Sequence, residues 1–263
     1  LVALMAAVIL LIFGTAVYST FIKFWPYNLS FSLHHYDFAD LPGGWLAYRN
    51  SVLLATLTAL IGTTVVFAGA YLIEKQKSWP SLNAALRALG FVPMAIPGLV
   101  LGLGYVFFFN LPNNPLNVLY GSMALLVICT VVHFFTTAYM TAATALGHLD
   151  GELEAASLSL KMPMYRHFFN VTLPICLPTV LDVVRYLFVS AMTTVSAAIF
   201  LYSPDTVLAS VAVLNMDDAG NVGGAAAMAT LILFTSAGVS GLIALFGRFA
   251  LNRTQSWRTA VRA

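Results

Sequence analysis

Six long apolar stretches constrain this chain more than any other feature of its sequence. A helix needs about 20 mostly apolar residues to cross the hydrocarbon core of a bilayer. The stretches cover residues 1–22, 50–73, 86–109, 117–145, 174–201 and 224–248. Apolar residues make up 60% of the chain and charged residues 8%, whereas a soluble domain is about half apolar and a quarter charged. The sequence therefore predicts an all-α, polytopic integral membrane protein with about six transmembrane helices.

The same stretches divide the chain into three parts. Residues 1–49 hold the first transmembrane helix and a loop, residues 50–250 form the core, and residues 251–263 form a tail. The chain begins at Leu1 within an apolar run, without the basic start or the cleavage site of a signal peptide. We interpret this start as a sign of a longer chain. Cys129 and Cys176 are expected to be small core residues and not a disulfide.

The placement of lysine and arginine predicts the orientation in the membrane, because these residues favour the cytoplasmic side. One side of the predicted membrane collects Lys75, Lys77, Arg87, Lys161, Arg166, Arg248, Arg253, Arg258 and Arg262. The opposite side receives Lys23 and Arg49. We therefore expect loop 146–173 and the C-terminal tail to be cytoplasmic. A formal net charge of +2 gives no reason to expect a nucleic-acid partner.

The third apolar stretch carries two prolines and a pair of spaced glycines. Pro93 and Pro97 each remove a backbone donor, so we expect this helix to be kinked or broken near its middle. Gly98 and Gly102 form a small-xxx-small pair that allows another helix to approach closely. These four residues are either packing elements or a hinge in the wall of a transport pathway.

The fifth apolar stretch contains charges that hydrocarbon does not tolerate. Asp182 and Arg185 share a helix face and can pair, and a charge left alone at the bilayer centre costs at least about 2.5 kcal/mol. Further along the expected helix are the hydroxyl residues Thr193, Thr194 and Ser196. The pair and the hydroxyls are either structural or line a polar path through the protein. His133, in the fourth stretch, is expected to be a core histidine.

A search for catalytic patterns finds none. The sequence lacks the zinc-binding His-Glu-x-x-His, the Gly-x-Ser-x-Gly nucleophile elbow and the phosphate-binding Gly-x-x-x-x-Gly-Lys-Ser/Thr. An enzyme within the membrane therefore has no positive evidence in this sequence, and we expect no metal and no cofactor bound by this chain. Energy for transport would have to come from an ion gradient or from another subunit.

Loop 146–173 has the pattern of two short helices separated by a turn. Asp150 is a plausible N-cap, and Glu152 and Glu154 fall in the first turn, where they complement the helix dipole. The first helix, residues 151–160, would present a small face of Ala155, Ala156 and Ser157. Pro163 suits the first position of a second helix. The loop is either an amphipathic helix at the membrane surface or a segment that fits a groove of a partner.

This loop resembles the "EAA" loop of the permease subunits of ABC importers. Glu154-Ala155-Ala156 matches the start of that pattern, and Val171-Thr172-Leu173-Pro174 matches its end. The sequence departs from the pattern at Leu160, where the family has glycine, and at the closing Leu-Pro, which falls one residue late. In that family the loop is the coupling helix that docks into a cleft of the ATPase subunit.

The resemblance extends over most of the chain. Arg49-Asn50-Ser51 resembles the start of the permease domain, and residues 93–109 are similar to ferric-iron, thiosulfate and phosphonate permeases. Residues 156–220 are most similar to 2-aminoethylphosphonate permeases, some of which carry two permease halves in one chain. The resemblance implies a type I ABC importer permease fold, and it suggests that this chain is the C-terminal half of a longer one.

The resemblance also implies the setting in which the chain works. A pair of ATP-binding subunits would hold ATP and magnesium, a second permease half would complete the pathway, and a periplasmic binding protein would deliver substrate to outer loops such as 202–223. The location would be the bacterial inner membrane. The expected substrate is 2-aminoethylphosphonate or a related phosphonate, with ferric iron, thiosulfate or polyamine as alternatives. The alternatives from other classes are a gradient-driven transporter with Asp182 as its proton site, and a structural membrane protein.

Overall fold

Helices dominate the computed structural model, which describes residues 1–39, 43–75 and 79–254. The helices are α1 (Val2–Thr20), α2 (Gly44–Lys75), α3 (Pro80–Ala95), α4 (Gly98–Phe109), α5 (Met123–His133), α6 (Phe135–Gly147), α7 (Gly151–Ser159), α8 (Met164–His167), α9 (Leu173–Ile175), α10 (Leu177–Met192), α11 (Ala209–Asp218) and α12 (Val222–Thr254). A π-helical turn, Phe168–Thr172, joins α8 to α9. Of the predicted tail, residues 255–263 lie outside the described part, as do Lys77, Arg258 and Arg262 of the basic set.

In the described part of the chain the helices account for three membrane spans, or for six when each bent pair of helices is counted as one span, and each overlaps one of the six apolar stretches. Three helices, α1, α2 and α12, are each long and apolar enough to cross a bilayer. Three further spans are bent pairs: α3 with α4, α5 with α6, and residues 164–175 with α10. The predicted fold class is confirmed. One small addition is an antiparallel hairpin of β1 (Ile22–Phe24) and β2 (Asn28–Phe31) in the loop after α1.

The bends divide the apolar stretches where prolines and local packing interrupt the helices. The pair α3 and α4 is bent by 106° around Ile96 and Pro97, so the break expected in the third stretch is confirmed. The 78° bend before α10 follows Cys176 and precedes Pro178, which has no N–H to donate to the carbonyl of Pro174. The 55° bend between α5 and α6 falls at Phe134, without proline or glycine.

The core lies between α2 and α10, with α5, α6, α11 and α12 packed around them. Gly62 makes the close approach possible, because a Cβ there would lie 2.8 Å from Cδ1 of Leu187. Leu54, Val66 and Leu187 are fully buried. Both cysteines are free and buried, as the sequence predicts.

The beginning of α2 is tied to the segment that precedes α11. The buried side chain of Asn50 donates to the carbonyls of Asp205 and Val207, at 2.9 and 3.0 Å. Ser51 Oγ accepts a hydrogen bond from the N–H of Ala209 at 2.8 Å. The Arg49-Asn50-Ser51 sequence at the start of the core therefore has a structural purpose: it satisfies backbone groups of an irregular segment.

The fifth predicted span is longer than the helix that forms. It was expected to run to residue 201, but α10 ends at Met192, so Thr193, Thr194 and Ser196 are not on that helix. Thr193 Oγ1 donates to the Val189 carbonyl at 3.1 Å, and Ser210 Oγ donates to the Thr194 carbonyl. The Ser210 bond uses the Thr194 carbonyl outside the helical pattern, in a stretch whose β-branched residues have a lowered helix propensity. The chain continues through turns from residue 196 to 201.

Candidate functional site

The loop between α6 and α9 contains two short helices, as expected. The N–H of Glu152 donates to Oδ1 of Asp150 at 3.1 Å, so Asp150 caps α7 as its sequence position suggests. Ala155 and Ala156 are exposed on α7. The side chain of Glu154 lies outside the described part of the chain. The exposed alanines leave a shallow, small-residue surface beyond the end of the membrane spans.

The turn after α7 explains both departures from the loop pattern. Lys161 has a left-handed backbone with φ 52°, and the N–H of Met162 donates to the Ser157 carbonyl at 2.9 Å. This is a Schellman cap, in which the left-handed residue directly follows the helix and is usually glycine. The family's glycine aligns with Leu160, one residue before the left-handed position. A first helix that is one residue longer therefore accounts for Leu160 and for the late Leu173-Pro174.

Ser157 links the two arms of the loop, which are α7 and the segment from α8 through the π-helical turn. It does not belong to the exposed surface. Its hydroxyl donates to the Leu153 carbonyl at 2.9 Å and lies 2.6 Å from Nδ1 of His167. Both side chains are buried, at 8% exposure each. The predicted small face of Ala155, Ala156 and Ser157 is wrong in its third member, because Ser157 is turned inward towards His167.

The second arm of the loop is anchored on α2 by aromatic stacking. Pro163 is the N-cap of α8 and not its first residue, a one-residue correction. The ring of Phe168 lies 4.7 Å from that of Tyr71 and 6.0 Å from that of Phe67, between ring centroids. Movement of the loop would therefore be transmitted to α2 and, through the bend at Cys176, to α10.

The charged pair of the fifth span lies on a face of α10 that the chain leaves uncovered. Arg185 donates to Asp182 at 2.9 Å, and the two side chains are 47% and 57% exposed. The opposite face, with Val183, Leu187 and Ala191, is buried. Asp182 and Arg185 both lie in the interior of α10, Leu177–Met192. Since hydrocarbon disfavours such charges, water or other protein must cover this face.

The break in the third span meets the segment after α10. A Cβ on Gly98 would collide with Oγ of Ser196 and would lie 2.9 Å from Cε1 of His133. A Cβ on Gly102 would lie 2.7 Å from the Ala197 carbonyl oxygen. The two glycines therefore allow a close approach, as predicted, and the neighbours are the turn at 196–200 and the end of α5 at His133. His133 and Ser196, which are far apart in sequence, meet at this junction.

The remaining predicted residues are distributed as follows. Pro93 lies inside α3, and Pro97 is the N-cap of α4. Thr193 is exposed near the Asp182–Arg185 face, whereas Thr194 is buried. Among the residues that the structure describes, no three His, Cys, Asp or Glu side chains are grouped to hold a metal ion.

Sequence reasoning missed one ion pair and one hydrogen-bond link near the loop. Arg87 of α3 donates to Glu74 of α2 at 2.9 Å. Thr136 of α6 donates to the Gly90 carbonyl of α3 at 2.8 Å. Opposite charges at the ends of neighbouring spans were a usable signal for the first link. The sequence gives no such signal for the Thr136–Gly90 hydrogen bond, because threonine in an apolar helix usually bonds its own backbone.

Comparison with known families supplies the context for this geometry. The family model of binding-protein-dependent transport system inner membrane components matches residues 66–250. The chain belongs to this family. The match includes the two-helix loop, the bent third span from α3 to α4, and the charged face of α10. Members of this family are components of transport systems, which agrees with the expectation of a transporter subunit and not an enzyme.

Curated relatives within the family are permease proteins. The ferric transport system permease FbpB of Actinobacillus pleuropneumoniae is 29% identical over 84% of this chain and 32% of its own length. A 2-aminoethylphosphonate permease, PhnV of Salmonella typhimurium, is 25% identical over 77% of this chain and 74% of its own length. The chain thus spans about a third of the length of this FbpB and of a second ferric permease relative, FbpB 1 of Haemophilus influenzae.

Solved structures of ABC transporters share the fold. A chain of a bacterial ABC transporter involved in import of the polysaccharide alginate superimposes with a TM-score of 0.76 at 14% identity. The alignment covers 94% of this chain and 93% of that one. A chain of the MetNI methionine ABC transporter gives a TM-score of 0.59 at 14% identity, over 80% of this chain and 97% of that one. At these identities the likeness concerns the fold alone, which is that of type I ABC importer permeases.

Proposed function

We propose that this chain is one permease half of an ATP-driven, binding-protein-dependent importer. The observation that carries the proposal is the two-helix loop, Gly151–Thr172, placed between two spans with Ala155 and Ala156 exposed at its surface. A small-residue helix offers a close-fitting surface to a partner's groove. Because Ser157–His167 and Phe168–Tyr71 join the loop to itself and to α2, a push on the loop reaches the membrane spans as a unit.

The partners follow from the family. Two ATP-binding subunits would hold ATP and magnesium and act on the loop through Asp150, Glu152, Glu154, Ala155, Ala156, Leu160 and Pro163. A second permease half would complete the pathway, and a periplasmic binding protein would dock on the outer loops. The loop and the C-terminus would be cytoplasmic in the bacterial inner membrane. The two halves would alternate between inward-open and outward-open states.

The translocation pathway would run along the uncovered face of α10. Asp182 and Arg185 point away from the chain's own core, and charged side chains in a membrane span belong in water or against protein. A second permease half placed against this face would enclose a polar path between the two. The α3–α4 break, with Pro93, Pro97, Gly98 and Gly102, would act as a hinge beside that path.

Two substrates are supported. Arg185 suits an anion such as 2-aminoethylphosphonate, and the phosphonate permease PhnV aligns over 77% of this chain. Ferric iron is equally supported, since the ferric permease relatives are 29% and 31% identical. Direct binding measurements on the periplasmic binding protein encoded beside this chain decide between them. Selective binding of 2-aminoethylphosphonate or of ferric iron assigns the substrate, and binding of neither excludes both.

The importer proposal is tested by uptake into proteoliposomes that contain the complete complex. Uptake should require ATP and stop when the ATPase subunit cannot hydrolyse it. Glu154→Arg should abolish uptake or release the ATPase while the membrane domain stays folded. Asp217→Arg, at an exposed acidic position of α11, serves as the matched control and should keep the ATPase bound. Uptake that persists without ATP hydrolysis would establish a gradient-driven transporter instead.

A further inference from the structure

An apolar pocket of about 480 Å³ lies between the end of α2 and the second arm of the loop. Tyr71 and Leu72 of α2 form one wall, and Tyr165, Phe168 and Phe169 form the other. None of the side chains that line it carries a charge. The pocket lies between the last turns of one candidate span, Gly44–Lys75, and the first turns of another, the bent span from Met164. It is separate from both the exposed alanines of α7 and the charged face of α10.

The pocket is held open by the packing of its own aromatic residues. Phe168 is fixed against Tyr71, with ring centroids 4.7 Å apart, and Phe169 stands perpendicular to Phe168 at 5.1 Å. This arrangement directs Phe169 and Tyr165 outward, where they are 60% and 61% exposed, beside Leu72 at 55%. Large apolar side chains grouped in this way need a cover.

The rim of the pocket is basic. The guanidinium of Arg166 lies 5.9 Å from the ring centroid of Tyr165, at the pocket's edge. Lys75 follows Tyr71 by four residues, so it lies on the same side of α2 one turn closer to the membrane surface. An apolar cavity with a cationic rim matches a molecule that has an apolar chain and an anionic head.

We propose that this pocket binds an anionic phospholipid, with one acyl chain against Tyr71, Phe168 and Phe169 and the phosphate beside Arg166. Basic pockets between spans select anionic headgroups in this way, whereas a protein partner would have to match an apolar surface at membrane depth. The lipid would wedge the loop's second arm against α2. The proposal depends on the membrane position of the two spans and not on the transport activity.

A photo-cross-linking residue identifies the occupant in native membranes. Phe169 is replaced by benzoylphenylalanine, which keeps the aromatic ring, and the chain is expressed with its partner subunits and irradiated. We expect an adduct whose mass equals the chain plus phosphatidylglycerol or cardiolipin. An adduct to another polypeptide, whether the ATPase subunit or a second copy, would overturn the proposal.

Native mass spectrometry of the purified complex measures selectivity. After exchange into equal amounts of phosphatidylglycerol and phosphatidylcholine, the wild type should retain the anionic lipid preferentially. Arg166→Gln should reduce that retention about fivefold, since one basic residue near the surface contributes about that factor. Phe169→Gln should reduce retention of both lipids.

Matched controls separate this pocket from general surface charge. The first control is Phe107→Gln, at a residue of α4 that is 73% exposed and far from the pocket. The second control is Arg49→Gln, at an exposed residue near the start of α2. Both controls should retain lipid as the wild type does. Equal retention of the two lipids by the wild type, or equal losses in Arg49→Gln and Arg166→Gln, would contradict a specific site.

Discussion

Lys161 carries the left-handed backbone that ends the first helix of the loop. It is the one non-glycine residue with positive φ in the described part of the chain, at 52°. A residue with a Cβ pays about 1 kcal/mol to adopt this conformation, whereas glycine adopts it freely. Lys161→Gly should therefore stabilise the loop by up to about 1 kcal/mol, and slower amide exchange over residues 151–163 would report it.

The control for Lys161→Gly lies one residue earlier. Leu160 is where the family has glycine, yet here it is an exposed residue outside the left-handed region. Leu160→Gly should give no stabilisation, because residue 160 does not adopt the left-handed backbone conformation that glycine favours. If Leu160→Gly stabilised the loop and Lys161→Gly did not, the one-residue shift of the turn would be wrong.

Ser157 and His167 form the buried link between the two arms. Ser157→Ala would leave Nδ1 of His167 without its hydrogen-bond partner, which costs about 1–3 kcal/mol for a buried group. We expect faster amide exchange through residues 151–167. Ser159→Ala is the matched control, because Ser159 is exposed and bonds only the Ala155 carbonyl of its own helix. Equal exchange in the two variants would show that the link contributes nothing.

At the scale of elements, α4 depends on a glycine for its contact with the turn after α10. Gly102→Ala would place a methyl 2.7 Å from the backbone oxygen of Ala197, which cannot rotate away. We expect a loss of about 1–3 kcal/mol, typical of overpacking. Thermal unfolding in one detergent measures it. Gly104→Ala, on the same helix with nothing within 4 Å, should be neutral or stabilising, and a similar loss there would contradict the packing argument.

The elements that hydropathy and proline define were predictable from the sequence. All six spans and the broken third span were found, because their signals are local: run length, missing N–H groups and spaced glycines. The Asp182–Arg185 pair was equally visible, since residues three apart on a helix meet regardless of the surrounding fold.

Features that depend on contacts between distant segments were not predictable. The α5–α6 bend at Phe134 has no proline or glycine from which it could be predicted. The end of α10 at Met192 depends partly on Ser210, which takes the Thr194 carbonyl from another segment. The inward turn of Ser157 required His167, ten residues later and across a reversal of the chain. At Met192 and Ser157, tertiary contacts overrode the local pattern.

At the scale of the whole molecule, the uncovered face of α10 indicates that the chain is incomplete as a membrane unit. Its hydrophobic core is buried between α2 and α10, yet the Asp182–Arg185 ion pair within a span remains about half exposed. Hydrocarbon would oppose that exposure, whereas a water-lined path between two permease halves would accept it. A helix surface that faces lipid is expected to have no charged side chains. The first helix is an example, because every residue from Leu1 to Ala16 is exposed and uncharged.

Cysteine accessibility distinguishes the two environments in the assembled protein. With Cys129 and Cys176 replaced by alanine, Arg185→Cys and Thr193→Cys should react with a water-soluble maleimide, because both positions are exposed on the uncovered side. Leu10→Cys, 71% exposed on apolar α1, should react at least tenfold more slowly, since a thiolate does not form in hydrocarbon. Reaction at Arg185→Cys and Thr193→Cys that is as slow as at Leu10→Cys would place the α10 face in lipid and remove it from the pathway. Slow reaction at Arg185→Cys together with fast reaction at Thr193→Cys would confine water to the end of α10, which Thr193 follows.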